Sequence, residues 1–273
     1  MQEYTPFTIE QFIETIWEYY KNNKRDFKWR INHEPYNVVV SEIMLQQTQT
    51  ERVIPKYEQF LNTFNSFDAL AQAPLKEVLT AWQGLGYNRR GLALQATAQK
   101  IINEYNGTLP SSPDILISFP GIGKATAASI CAFAFNIPTI FIETNIRTVF
   151  IHFFFNNQIE IKDSEIIPLI QATVDKQNPR EWYYALMDYG VMLKKKLPNP
   201  SRKSAHHSTQ SKFEGSDRQI RGMILKILTA QPWASYEELY AFIPREPQRI
   251  EKALIELRNE GFIKYNNNLF MIA

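Results

Sequence analysis

The sequence predicts an almost wholly α-helical protein that closes on one small β-hairpin. Apolar residues recur at three- and four-residue steps through most segments. Gly and Pro interrupt those segments at intervals suited to short helices. Strand-like patterning is confined to the stretch after Gly261, FIKYNNNLFMI, with an Asn-rich turn at its centre.

Thr8 can cap a first helix whose apolar face is Ile9, Phe12, Ile13, Ile16 and Tyr19. Residues 38–53, VVVSEIMLQQTQTERV, begin as a buried apolar run, yet Glu42 sits inside it and Gln46, Gln47 and Gln49 follow at once. Asp68 to Trp82 reads as one short helix stopped by Gly84 and Gly86, and Leu92 to Tyr105 as the next, ending at Asn106-Gly107. Asp114 to Ser118 leads into FPGIGK, and Ala125 to Phe135 follows. After Pro138 the helical pattern resumes over Asn145–Phe155, Ile166–Gln177 and Trp182–Lys194.

Residues 197–216 shift to Pro, Ser and basic side chains, the composition of a linker or extended arm. Residues 217–273 have their own logic. Ile220, Met223, Ile224, Ile227 and Leu228 line one helix, Tyr236 to Phe242 makes a second, and Pro247 opens a third with Ile250, Ala253, Leu254 and Leu257 on one face. Three helices and a hairpin suggest a winged-helix-like module, a form that serves DNA binding and protein contacts alike.

A chain of 273 residues can hold one large domain or two to three small ones. Hydrophobic content of 44% with 21% charged residues describes a soluble globular protein, not a disordered one. The net charge of +2 is small, but Lys194, Lys195, Lys196, Arg202, Lys203, Lys212, Arg218 and Arg221 cluster against only Glu214 and Asp217. That cluster reads as a phosphate-neutralising patch or as a solvated connector. The single cysteine, Cys131, excludes an internal disulfide and any four-cysteine metal or iron–sulfur site within the chain. No signal sequence or spanning apolar run is present, so a cytoplasmic location is expected. His206-His207 lacks further ligands at metal-binding spacing and reads as phosphate-contacting or solvated; no metal is expected.

FPGIGKATAASI, residues 119–130, is the most specific local signal. Gly121 and Gly123 permit a tight turn that leaves helix N-terminal amides facing a phosphate, with Lys124 adding charge beside them. The pattern is that of helix–hairpin–helix DNA-binding proteins, which include ligases, polymerases and repair proteins. It grips backbone and does not read sequence.

SEIMLQQTQTERVIPKYEQF and LTAWQGLGYNRRGLAL, followed by that hairpin, closely resemble the MutY-type adenine glycosylases of the helix–hairpin–helix (HhH-GPD) superfamily, which also holds endonuclease III and thymine-mismatch glycosylases. The resemblance covers roughly Phe27 to Leu193. It implies an all-helical, two-lobed fold with the base pocket between lobes. One lobe would comprise residues 1–28 and 137–196, the other residues 29–136, followed by the arm 197–216 and the module 217–273.

The chemistry of the residues agrees with that implication. Breaking an N-glycosidic bond asks for one protonated carboxyl to help the base leave and one ionised carboxylate to steady a cation-like sugar. Glu42 suits the first role, because apolar neighbours raise a carboxyl pKa; the matching family residue protonates the purine ring. Glu143, in FIETNIRTVF, falls where the superfamily nearly always has aspartate, and suits the second; helix capping or an ion pair is its alternative. Asn145 matches an asparagine of the MutY-type enzymes. Leu45, Gln46 and Gln47 resemble the loop pushed into the duplex when a base is extruded. Their alternative is a set of helix-end residues in solvent. Tyr87, Gly121, Gly123, Lys124, Thr126, Arg147, Lys203 and His206 complete the candidate DNA contacts.

Four departures qualify the resemblance. No cysteines follow Met187-Asp188-Tyr189-Gly190, where the family usually has an iron–sulfur cluster, so none is expected and the basic arm stands in its place. Ala125 occupies the position of the endonuclease III lysine nucleophile, which argues against a Schiff-base lyase step. Asn88 replaces a second aromatic that helps recognise 8-oxoguanine, and the winged-helix-like module replaces the family's oxoguanine-checking domain. The expectation is a monomeric, nucleoid-associated, monofunctional glycosylase without cofactor, acting on double-stranded DNA with a mispaired purine, adenine opposite G or 8-oxoguanine foremost. A thymine, uracil or deaminated-base enzyme and a non-catalytic DNA-binding protein are the alternatives.

Overall fold

The computed structural model describes residues 8–155 and 158–273. In chain order the helices are α1 (Ile9–Asn23), α2 (Pro35–Leu45), α3 (Thr50–Thr63), α4 (Phe67–Gln72), α5 (Leu75–Trp82), α6 (Arg89–Tyr105), α7 (Pro113–Leu116), α8 (Lys124–Phe135), α9 (Thr144–Phe154), α10 (Asp163–Thr173), α11 (Pro179–Lys196), α12 (Asp217–Ala230), α13 (Tyr236–Phe242) and α14 (Pro247–Asn259). Antiparallel strands β1 (Ile263–Asn266) and β2 (Leu269–Ile272) pair Ile263 with Ile272. Asn267 and Asn268 both hold positive φ in the turn between them, which asparagine tolerates. Among the described residues no helix is long and apolar enough to cross a membrane.

The chain forms two compact units. The first comprises residues up to 38, 111–117 and 122–209. Its core is rich in aromatic rings: Phe12, Ile16 and Tyr20 of α1 meet Val149 and Phe150 of α9, Ile166 and Ile170 of α10, and Trp182, Tyr183 and Leu186 of α11. Thr8 caps α1 as the sequence predicts, and Gln11 completes a capping box with it. Asp188, from the Met-Asp-Tyr-Gly stretch, is buried and accepts both Arg30 Nη atoms at 2.9 Å, as well as the backbone N–H of Arg25 at 2.9 Å. One carboxylate thereby ties the segment after α1 to α11.

The second unit comprises residues 39–110, 118–121 and 210–273. Trp82 fills its interior, so close to α6 that a Cβ on Gly91 would lie 3.0 Å from the indole. The expected helix 68–82 is two helices, because Pro74 cannot supply the N–H that would continue α4. The C-terminal module forms as three helices and a hairpin, but shares a core with its neighbours: Leu79 of α5 is buried among Ile220, Ile224, Leu228 and Leu254.

The units thus divide differently from the expected segments. α8 groups with the first unit because Ala128, Ala132 and Phe133 lie in its core. The arm 197–216 is split as well. Its first part is docked on the first unit, with Pro200, Ser201 and Ser204 buried and Ser204 in a parallel bridge with Ile161. From Gln210 onward it belongs to the second.

Candidate active site

Glu42 lies on α2, in the second unit. Val39, Val40, Ile43 and Met44 are fully buried and Ser41 nearly so, whereas Glu42 and Leu45 are half-buried. The apolar run is therefore a wall with one carboxyl on its accessible side. Past Leu45 the chain turns through Gln47, which adopts left-handed backbone geometry (φ 53°) and is exposed. Gln46 Nε2 donates to the Gly121 carbonyl at 3.1 Å, joining this turn to the glycine hairpin.

Arg90 organises this region. Its Nη1 donates to the carbonyls of Ile43, Met44 and Gln46 (2.8, 2.9 and 2.6 Å), and its Nη2 to Thr48 Oγ1 and the carbonyls of Leu85 and Gly86 (2.8, 3.1 and 3.2 Å). One guanidinium therefore satisfies the carbonyl end of α2 and the glycine turn before α6 together. Burial lowers its pKa to about 10, which keeps it a cation at neutral pH. Sequence reasoning missed this residue. It stands in the quoted GLGYNRR, but charge alone does not tell which of two adjacent arginines points inward.

Tyr87, with φ 47° and 36% exposure, follows that turn. The guanidinium carbons of Arg90 and Arg218 lie 5.5 and 5.6 Å from its ring centroid, and Arg218 Nη1 donates to its hydroxyl at 2.8 Å. Arg89 forms two 2.6 Å hydrogen bonds to Glu260 at the end of α14, and Arg221 binds the same carboxylate. The C-terminal module therefore grips the segment that carries Tyr87.

The hairpin has the expected backbone. Gly121 has φ 72°, and a Cβ there would come within 2.8 Å of the Ala93 Cβ, so glycine is required on both counts. Thr97 Oγ1 fixes the Pro120 carbonyl at 3.0 Å. Gly123 is the N-cap of α8, Lys124 is exposed and Thr126 half-buried, an arrangement that presents first-turn amides and a cation to an anion.

Glu143 lies in the first unit, as the N-cap of α9. Its Oε1 accepts the backbone N–H of Asn145 (2.7 Å) and Ile146 (2.9 Å), and its Oε2 accepts Asn145 Nδ2 (3.2 Å). Desolvation raises its pKa, opposed by the Ile146 N–H, the Lys194 ammonium, the Asn145 N–H and Arg147. Capping does not consume the charge; it fixes the carboxylate at the positive end of a helix. A Cβ on Gly190 of α11 would fall 2.5 Å from the Asn145 carbonyl oxygen, so the glycine of Met-Asp-Tyr-Gly is what lets α11 approach this corner.

The remaining expected contacts are dispersed. Arg147 makes two 2.7 Å bonds to Asp163, so its fork is engaged within the protein. Lys203 is half-buried in the docked arm, where its carbonyl accepts the Ile161 N–H, and His206 is exposed. Three members of the basic cluster 194–221 are engaged within the protein: Lys194 binds Asn145, Arg218 binds Tyr87 and Arg221 binds Glu256 and Glu260.

A family model described as HhH-GPD superfamily base excision DNA repair protein matches residues 40–169, a span that contains Glu42, the hairpin and Glu143. The chain carries an HhH-GPD domain. It is 35% identical over 187 residues to the adenine DNA glycosylase of Buchnera aphidicola subsp. Baizongia pistaciae, a match covering 67% of this chain and 52% of the relative. The chain thus spans about half the length of that curated relative. It is 28% identical over 267 residues to the adenine DNA glycosylase of Mycolicibacterium smegmatis, covering 90% of each. Among solved structures it is similar to a thermostable thymine-DNA glycosylase, with a TM-score of 0.60 at 24% identity over 67% of this chain and 86% of that one. That likeness establishes the fold.

An iron–sulfur cluster, usual in MutY-type members of the superfamily, does not fit these residues. The sole cysteine, Cys131, is buried in α8 with its thiol donating to the Ser111 carbonyl at 3.3 Å, and burial pushes its pKa up to about 11.

Proposed function

We propose that this protein is a monofunctional DNA glycosylase that releases a mispaired purine, adenine foremost, from duplex DNA. The observation that carries the reading is Glu42: a half-buried carboxyl on an otherwise buried helical wall, beside a turn of exposed and half-buried amides. Glu42 delivers a proton to a ring nitrogen of the extruded base. The N-glycosidic electron pair leaves with the base, and the deoxyribose becomes cation-like. Glu143, whose ionised form the α9 amides and the Lys194 and Arg147 cations favour against desolvation, stabilises that cation. Water adds to the anomeric carbon and gives up a proton, one proton returning to the Glu42 carboxylate, so the products are the free base and an abasic site.

Leu45, Gln46 and Gln47 fill the space that the base vacates, and Gly121, Gly123 and Lys124 hold backbone phosphate. Ala125 offers no amine at the α8 start, so strand cleavage does not accompany base release. No cofactor takes part. The likeness to a thymine-DNA glycosylase favours a thymine-mismatch reading, but thymine leaves without ring protonation of this kind, which Glu42 supplies for purines.

The test is incubation with duplexes carrying A, T, U or hypoxanthine opposite G or 8-oxoguanine, followed by alkali to cut abasic strands. Alkali-dependent cleavage at adenine is expected. Release of thymine or uracil alone would overturn the purine assignment, and cleavage without alkali would overturn the monofunctional one.

A further inference from the structure

Lys194 stands in the last turn of α11 with Lys195 and Lys196. Those two neighbours are exposed, whereas Lys194 is half-buried and its Nζ donates to Asn145 Oδ1 at 2.8 Å. The ammonium dictates the orientation of that amide. With Oδ1 turned to Lys194, Nδ2 faces Glu143 Oε2 at 3.2 Å; the flipped amide would set donor against donor and acceptor against acceptor. Burial lowers the Lys194 pKa, and Glu143 raises it in opposition. Burying an ammonium is unfavourable unless it is paired, and Asn145 and Glu143 supply the pairing. Arg147 is a second cation near Glu143, and its charge is shared with Asp163.

We propose that Lys194 is a positioning residue for base release, acting through the Asn145 side-chain amide to orient Glu143 and to keep it ionised. The proposal rests on the glycosylase reading above for its chemistry, but the electrostatic link exists without DNA. The link also gives the extra methylene of Glu143 a fixed place, because Oε1 is held by backbone amides and Oε2 by the amide that Lys194 orients.

Two measurements on the full chain decide it. Carboxyl 13C titration of DNA-free protein labelled at glutamate Cδ, with Glu143 assigned by its loss in Glu143→Gln, compares wild type with Lys194→Met and Lys194→Arg. Removing a neighbouring opposite charge raises a carboxyl pKa by about one unit or more. Lys194→Met should therefore titrate Glu143 at higher pH, and Lys194→Arg should restore it. An unmoved titration overturns the proposal.

The second measurement is the single-turnover rate on an adenine duplex across pH. Lys194→Met should lose roughly tenfold on the acid limb, where pH lies below the Glu143 pKa, one unit of pKa being a factor of ten in the ionised-to-protonated ratio. The acid limb should move upward, while affinity for a non-cleavable duplex stays unchanged. An equal loss at every pH that tracks loss of folded protein marks a merely structural lysine and overturns the proposal. Borohydride trapping that disappears in Lys194→Met marks a nucleophile and overturns it too. A wild type that releases no base sinks the glycosylase reading instead, and the carboxyl titration still decides whether Lys194 governs Glu143.

Discussion

The guanidinium of Arg90 lies 2.6 Å from the carbonyl oxygen of Gln46, the first residue past the helix that carries Glu42. The same group holds Leu85 and Gly86, so the two segments that bear Gln46, Gln47 and Tyr87 share one buried support. A lysine in its place has one nitrogen and cannot reach both sets of acceptors. Arg90→Lys should lose about 3 kcal/mol or more of stability, since several buried carbonyls lose their donors. Urea unfolding gives that loss. Base release at saturating enzyme should fall at least about tenfold, the factor that corresponds to about 1.4 kcal/mol in the barrier. Wild-type stability in the variant would show that the hydrogen bonds are replaceable.

Gly190 admits no side chain. A methyl there meets the Asn145 carbonyl oxygen at 2.5 Å and its Cβ at 2.8 Å, and both belong to the corner that holds Glu143. Gly190→Ala is favourable for an isolated helix, so a loss of stability would come from packing alone. Overpacking of this kind costs about 1–3 kcal/mol. The expected result is a lowered unfolding midpoint together with slower base release, measured on the same preparation. Gly222, where an added Cβ meets nothing within 4 Å, supplies the control: Gly222→Ala should be neutral or stabilising.

Glu260 gives the C-terminal module a pH signature. Hydrogen bonds from Arg89, the largest influence, outweigh burial and together with Arg221 hold its carboxyl down at about 2, from an ordinary 4.5. The folded pKa is depressed, so between those values the unfolded chain binds more protons. Stability is therefore full above pH 4.5 and is lost as pH falls toward 2. Glu260→Gln should flatten that part of the unfolding profile. Its grip on Arg89, and that of Arg218 on Tyr87, should also matter for the opposite base. Arg218→Ala should change the ratio of rates on duplexes with different bases opposite adenine more than it changes the rate on the best one. Arg249 is paired with Asp217 and Arg245 with Glu214 of the arm, so these two guanidinium groups are engaged within the protein.

Much of this architecture is legible in the residues, and the exceptions have physical causes. Period and caps disclose α1, α12 and α14, because each has one apolar face and a distinct start. α2 gives no such period: its wall is apolar nearly all round, and only Glu42 and the glutamines betray it. Gly121 of the hairpin announces itself, since positive φ and a 2.8 Å approach leave no other residue type. Arg90, Asp188 and Lys194 do not. Each is a charged residue whose importance comes from partners distant in sequence, and nothing in a linear string says that Lys194 turns inward while Lys195 and Lys196 face solvent. The same reason hid the pairing of Arg147 with Asp163.

In the proposed reaction the two carboxylates make opposite demands on pH, and their variants should separate them. Glu42 must begin protonated, so Glu42→Gln retains shape and hydrogen-bonding capacity but removes the transferable proton. Its rate should fall by a factor on the order of 10²–10⁴, the range for a lost general acid. Glu143 must begin ionised, and Glu143→Gln removes the charge while its side-chain oxygen can still accept the N–H groups of Asn145 and Ile146. Stability should change little and the rate should fall by about 10²-fold or more, because charge stabilisation in the transition state is what disappears. Glu143→Asp is the discriminating case. Aspartate is a favoured N-cap, so α9 keeps its start. The shorter arm, however, draws the carboxylate away from Asn145 Nδ2, now 3.2 Å from Oε2. A variant that stays within about tenfold of wild type would mean that charge at the α9 terminus suffices. A loss as deep as that of Glu143→Gln would mean that this chain depends on the longer arm and on the amide that Lys194 holds in place.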